Sequence, residues 1–129
     1  MLLLDTHVFV WLASDQRQLT PKVRELIRKH AGAVFLSSIS ALEIAILAKR
    51  NRLRLPLPPE AFVERALAQH DIGEIPVTRD IACRSALLPD IHNDPFDRII
   101  IATAKVRNLL IVSKDSRLSS YPETRVAWD

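Results

Sequence analysis

His92-Asn93-Asp94-Pro95-Phe96-Asp97-Arg98-Ile99-Ile100-Ile101-Ala102-Thr103-Ala104 joins a strong helix start to an acid in an awkward place. Asp94 reads as the N-cap, whose side-chain oxygen satisfies a free amide of the first turn. Pro95 takes the first helical position, where its missing N–H had no partner anyway, and Asp97 falls at the third, near the positive end of the helix dipole. Beyond it the helix is almost without polar side chains through Ala104, so most of its circumference must be buried. A carboxylate that opens a buried helix points inward or at a cleft. The question for the rest of the chain is whether other carboxylates reach the same place.

Working outward, Leu2-Leu3-Leu4 ended by Asp5-Thr6 reads as a buried strand that delivers Asp5 at its C-terminal end. A short helix is expected over 8–13. Thr20-Pro21 repeats the cap-then-proline signature, and Val23, Leu26 and Ile27 keep helical spacing up to Gly32, taken as the C-cap. A second strand covers 33–36, and a strongly apolar helix over 39–50 is interrupted by Glu43. The basic, proline-rich stretch 50–59 is a connector, because neither flank is large enough to fold alone. A helix over 60–69, a strand over 72–77, a helix from the cap Thr78 through Leu88 and a loop over 89–93 lead into the opening stretch. A strand over 109–112 then ends in Ser113-Lys114-Asp115, and a last one holds 125–127. Strands alternating with helices argue for an α/β sandwich with a mostly parallel sheet covered on both faces. Ligands of such sheets bind outside the carboxyl ends of the strands, where Asp5 and Asp115 both lie.

With 129 residues and 48% apolar content the chain fits a single domain over 1–129, whose core needs no metal or disulfide staple. The longest apolar runs are about ten residues and each meets a charge, too short to span a bilayer. Met1-Leu2-Leu3-Leu4 running straight into Asp5 leaves no basic leader, so a cytoplasmic protein is expected. Cys83 stands alone, which removes a disulfide framework or cysteine zinc site and suggests a small buried residue. The formal charge of +3 permits a polyanionic partner. Were four of the fifteen acids gathered in one place, the remaining surface would carry 18 basic against 11 acidic groups, the layout of an enzyme that attracts a phosphate backbone to a pit of cations.

Taken singly, Asp5 can be a helix cap after a strand, Asp97 a complement to the dipole and Asp115 a turn residue. Glu43 is different. Three and four positions away stand Ser40, Leu47, Ile39 and Ile46, so no basic partner is within helical reach, and burying an unpaired acid is costly. Four carboxylates converging without cations would repel and raise one another's pKa values, but they suit a hard ion such as Mg²⁺ or Mn²⁺. The histidines (His7, His30, His70, His92) lack zinc spacing, although His7 and His92 flank the acids in sequence and are candidates to touch substrate. Arg98, Lys114, Arg50 and Arg52 are candidates for phosphate contacts.

Four pieces together resemble the PIN domain, and more narrowly the VapC-type toxins of toxin-antitoxin systems. These are Leu-Leu-Leu-Asp-Thr-His at the N-terminus, Ile-Ser-Ala-Leu-Glu-Ile-Ala with Ser40 three residues before Glu43, the block Asp94-Pro95-Phe96-Asp97-Arg98, and Val112-Ser113-Lys114-Asp115. They come in the family's order over Leu2 to Trp128. The resemblance implies a PIN-like three-layer sandwich, with a mostly parallel sheet of about four or five strands flanked by helices. It implies that Asp5, Glu43, Asp97 and Asp115 form an acidic quartet around Mg²⁺ or Mn²⁺, with Thr6 as the hydroxyl residue beside the first acid. Ser113 stands where the family commonly has threonine. It further implies metal-dependent endoribonuclease activity, a homodimer, and a VapB-like antitoxin whose C-terminal segment covers the site. Asp94 keeps its structural part as the helix cap. Two other classes remain open: a non-catalytic module that docks a protein or RNA partner, and a phosphoacceptor on a similar sheet. The second is disfavoured because Asp5 has neither an adjacent acid nor an aspartate two residues on.

Overall fold

The computed structural model describes residues 1–129. Its centre is a sheet of β1 (Leu2–Leu4), β2 (Val34–Ser37), β3 (Gly73–Ile75), β4 (Leu110–Val112) and β5 (Val126–Ala127), in the order β3-β2-β1-β4-β5. Every pairing is parallel, so the mostly parallel sheet expected of the sequence is wholly so. Six helices flank it: α1 (Thr6–Ser14), α2 (Pro21–Lys29), α3 (Ile39–Lys49), α4 (Pro59–Gln69), α5 (Arg79–Ala86) and α6 (Pro95–Arg107). No helix is long and apolar enough to cross a membrane.

The three leucines of β1 are fully buried because the strand is central and covered on both sides. Successive side chains of a strand point to opposite faces, and the core divides accordingly. Leu2 and Leu4 pack with Phe9 of α1, Val23 of α2, Ile44 of α3 and Phe62 of α4. Leu3 packs on the other face with Ile81 of α5 and with Ile100 and Ile101 of α6. The helix of the opening stretch is therefore one of the two that close that face, with Ile100 through Ala104 all buried.

Two expectations change. Gly32 does not cap α2, which ends at Lys29 with His30 as its C-cap; Gly32 serves the turn into β2, where its φ of +83° favours a residue without a side chain. Cys83 is exposed. Helix α5 faces the core through Ile81 and Ser85, and a residue two positions from each lies roughly 200° around the helix, on the solvent side.

Arg98 is also placed differently from its expected contact with phosphate. Its Nη1 donates to the carbonyls of Pro89 (2.9 Å) and His92 (3.2 Å) and to the Tyr121 hydroxyl (3.4 Å), and its Nη2 to the carbonyls of Ser85 (3.0 Å) and Leu88 (2.8 Å). One guanidinium thus fastens the end of α5 and the loop before α6, using backbone acceptors that would otherwise go unmet. Arg98→Ala is expected to destabilise the fold by about 2–3 kcal/mol, the scale of lost charge-assisted hydrogen bonds. Urea unfolding reads this directly; an unchanged midpoint with weakened RNA binding would instead return Arg98 to the substrate.

Candidate active site

The parallel register that sets Leu4 beside Val112 also sets the residues just beyond them side by side at the carboxyl edge of the sheet. Asp5 follows β1 and caps α1, its Oδ1 accepting from the Thr6 amide at 2.8 Å. Ser113 follows β4, is buried, and donates its hydroxyl to Asp5 Oδ2 at 2.7 Å. The same hydroxyl oxygen accepts from the Asp115 amide at 3.0 Å, so one serine ties the first acid to the loop that carries the last. Thr6, also buried, shares a 2.8 Å hydroxyl–hydroxyl hydrogen bond with Ser40 in the first turn of α3. Glu43 lies three residues on, on the face that Ser40 anchors.

The opening block comes in from the other core. Asp94 is the N-cap of α6, accepting from the Phe96 amide at 2.9 Å, with Pro95 at the start of the helix and Asp97 in the first turn. Asp115 caps the short 3-10 turn Ser116–Ser120 and is gripped on both oxygens by Arg117, with Nε 3.0 Å from Oδ1 and Nη2 2.7 Å from Oδ2.

All four sequence-predicted acids, Asp5, Glu43, Asp97 and Asp115, line one cleft of about 300 Å³, together with Asp94, Lys114, Arg117 and His7. Asp94 is thus both a cap and a wall of the site. Arg50 and Arg52 are not among the lining residues. They sit at and just past the end of α3, and Arg50 is seven residues beyond Glu43, about 10 Å along the helix axis. Lys114 remains at the cleft, and Arg117, unmarked in the sequence, joins it. The only signal for Arg117 was its place two residues after an acid in a turn.

His92, a candidate substrate contact in the sequence, stands against two of the acids. Its Nε2 lies 3.1 Å from Asp97 Oδ2 and 3.9 Å from Asp115 Oδ2, with side-chain exposures of 12% for His92 and 14% for Asp97. His92, Asp97 and Asp115 can each offer a ligand atom within 4.8 Å of the others'.

The electrostatics are those of crowded acids. Burial pushes the Asp97 carboxyl up to about 7, and the charges of Asp5, Asp94, Glu43 and Asp115 push it in the same direction. Burial raises Asp5 as well, opposed by the Ser113 hydroxyl and the Thr6 amide. Glu43 is raised by burial and by Asp5, and its Oε1 is buried without a hydrogen-bond partner. Asp115 alone is lowered, because Arg117 holds it as a carboxylate. Oxygen donors that repel one another, one of them orphaned, fit a hard divalent cation.

The PIN domain family model matches residues 2–123. The ribonuclease VapC22 of Mycobacterium tuberculosis (strain ATCC 25618 / H37Rv) is 33% identical over 124 residues, covering 95% of this chain and 93% of the relative. Among solved structures, VapBC2 from Rickettsia felis bound to a promoter DNA fragment aligns with a TM-score of 0.75 at 14% identity, over 99% of this chain and 98% of that one. DNA-bound VapBC from Salmonella typhimurium aligns with 0.71 at 18% identity, over 98% and 96%. The five-stranded parallel sheet flanked by helices is the fold of those chains. With a family model spanning nearly its whole length, the chain belongs to the PIN domain family.

Proposed function

We propose that this protein is a Mg²⁺- or Mn²⁺-dependent endoribonuclease, the toxin of a VapBC-type pair, acting on cytoplasmic RNA and held in check by a VapB-like antitoxin. The observation that carries the reading is the gathering of four acids from four separate segments into one cleft, where burial and mutual repulsion push Asp97 up to about 7. A fold gains nothing from such crowding unless cationic charge is to be placed there. The similarity to a ribonuclease over nearly the whole of both chains supports the substrate class, and the VapBC neighbours support the partner.

Asp97 and Asp115 would hold the cation most directly, with Asp5 and Glu43 completing its oxygen environment. When bound, the cation supplies Lewis-acid stabilisation of phosphate charge and makes water a better nucleophile. The chain's own groups do the rest. Ser113 and Thr6 orient Asp5 and oppose the rise that burial gives its carboxyl. Glu43, whose Oε1 has no hydrogen-bond partner, would accept a proton from the attacking water. Lys114 and Arg117 at the cleft offer contacts for phosphate oxygens. Leu42 of α3, 51% exposed, lies on a helix that is apolar on nearly every side and would suit packing against a second copy. The acid set is complete, which leaves a non-catalytic docking module without a supporting observation.

Asp5→Asn and Asp97→Asn proteins, shown to be folded, are expected to cut a mixed RNA pool with Mg²⁺ more than about a hundredfold slower than the parent, beyond the losses typical of outer-shell changes. Cleavage at the parental rate by either would remove the assignment. Sequencing the products of the free parent protein should give one dominant cleavage site.

A pH experiment reads the crowding itself. In the folded chain Asp97 keeps a proton that the unfolded chain releases near its ordinary value, so raising the pH favours the unfolded state. In the absence of divalent cations, stability conferred by this group is present below about pH 4 and is lost as the pH rises through about 7. Thermal melts between pH 5 and 8 should show that decline, Asp97→Asn should flatten it, and Mg²⁺ or Mn²⁺ added at pH 8 should reverse it. A parent whose stability rises steadily across that range and ignores the cations would contradict the electrostatic picture.

A further inference from the structure

We infer that His92 serves this centre as a fixed hydrogen-bond donor that positions Asp97 and Asp115, and that it does not itself ligate the cation. The inference rests on the metal-centre reading above and deepens it. His92 stands close enough to both acids to be counted as a third ligand. What decides its part is the other side of the ring.

His92 Nδ1 accepts a hydrogen bond from the Asp94 amide at 3.2 Å. A ring nitrogen that accepts carries no proton, so the neutral imidazole must carry its proton on Nε2. Moving that proton to Nδ1 would set one N–H against another. The Asp94 amide is in no position to retreat, for Asp94 is bound on its remaining groups. Its carboxylate caps the Phe96 amide and its carbonyl accepts from the Arg98 amide at 3.1 Å. The His92 carbonyl is pinned in turn by Arg98 Nη1 and by the Tyr121 hydroxyl at 3.3 Å. Both ends of the three-residue turn are therefore held, and the tautomer is held with them.

Nε2 is the buried end. It has no aligned hydrogen bond, and it lies nearest Asp97 Oδ2, with Asp115 Oδ2 beyond. A cation coordinated there would need the Nε2 lone pair, which the proton occupies. An Nε2–H that lies 3.1 Å from Asp97 Oδ2 and 3.9 Å from Asp115 Oδ2 fits the other part: it holds the two acids at the site while their oxygens face an ion, as hydrogen-bonding groups behind the ligands do in metal sites. The direct donors are then all oxygen, which favours Mg²⁺ and Mn²⁺ over zinc. His92, Asp94 and Asp97 form one unit: Asp94 fixes the ring, and the ring fixes Asp97.

The test uses the full chain labelled with ¹⁵N-histidine. Long-range ¹H–¹⁵N spectra of the cation-free parent should show His92, assigned by loss of its signals in His92→Gln, as the Nε2–H tautomer, unchanged when Mg²⁺ is added. Electron spin-echo spectra of the Mn²⁺-loaded parent should lack the ¹⁴N coupling of a directly bound imidazole. His92→Leu should weaken Mn²⁺ binding 10- to 100-fold, and His92→Gln, whose amide keeps a donor near the Nε2 position, should recover most of it. An Nδ1–H tautomer, a directly bound nitrogen, or parental Mn²⁺ affinity in a folded His92→Leu protein would each overturn the inference. If His92→Leu does not fold, the parent spectra still decide between donor and ligand. A parent that neither binds Mn²⁺ nor cuts RNA would sink the metal-centre reading instead, and the positioning role with it, a failure distinct from a wrong tautomer in the cation-free protein.

Discussion

Leu4 lies beside Val112 across the β1–β4 ladder, and the cleft depends on that register. It brings Asp5 within a 2.7 Å hydrogen bond of Ser113, which in turn holds the amide of Asp115. A slip of one residue would send the alternate leucine into the wrong core and carry Asp5 off the hydroxyl. Because Leu2 and Leu4 fill one core and Leu3 the other, hydrophobic packing on both faces of the sheet enforces the spacing of polar groups at its edge. The break in topology between β1 and β4 is where open parallel sheets place their ligands.

The acids brought there are tolerated by different means. Asp5 is satisfied by Ser113 and Thr6, and Asp115 by Arg117, whose guanidinium acts as a counter-ion within the chain. Glu43 Oε1 has no hydrogen-bond partner and Asp97 has only His92 close by, and both are raised by burial and by their neighbours' charges. The cleft is thus only partly compensated by the protein, and on the proposed reading a cation supplies the rest.

Much of this was legible in the sequence because it is written locally. Strand β1 is a three-leucine run stopped by an acid, and α2, α5 and α6 announce themselves by Thr20, Thr78 and Asp94 in cap positions. Glu43 stood out through the absence of a basic residue within a helical turn. What escaped notice depends on contacts distant in the chain or on backbone acceptors that leave no mark in side-chain spelling. Arg98 reads as a phosphate contact until Pro89, Ser85 and Leu88 turn their carbonyls toward it. Arg117 and His92 join the site only when the loop after β4 meets the first turn of α6. Cys83 was misplaced because an eight-residue helix offers too few turns to tell its faces apart.

The central claim is that the crowded oxygens of Asp5, Glu43, Asp97 and Asp115 are a cation site. The most direct measurement is an anomalous difference map from crystals of the protein grown with Mn²⁺. The account predicts a peak in the cleft within coordination distance of Asp97 and Asp115, bounded by oxygen ligands. A well-ordered, Mn²⁺-saturated crystal with no peak in the cleft, or with its Mn²⁺ bound elsewhere, would contradict it.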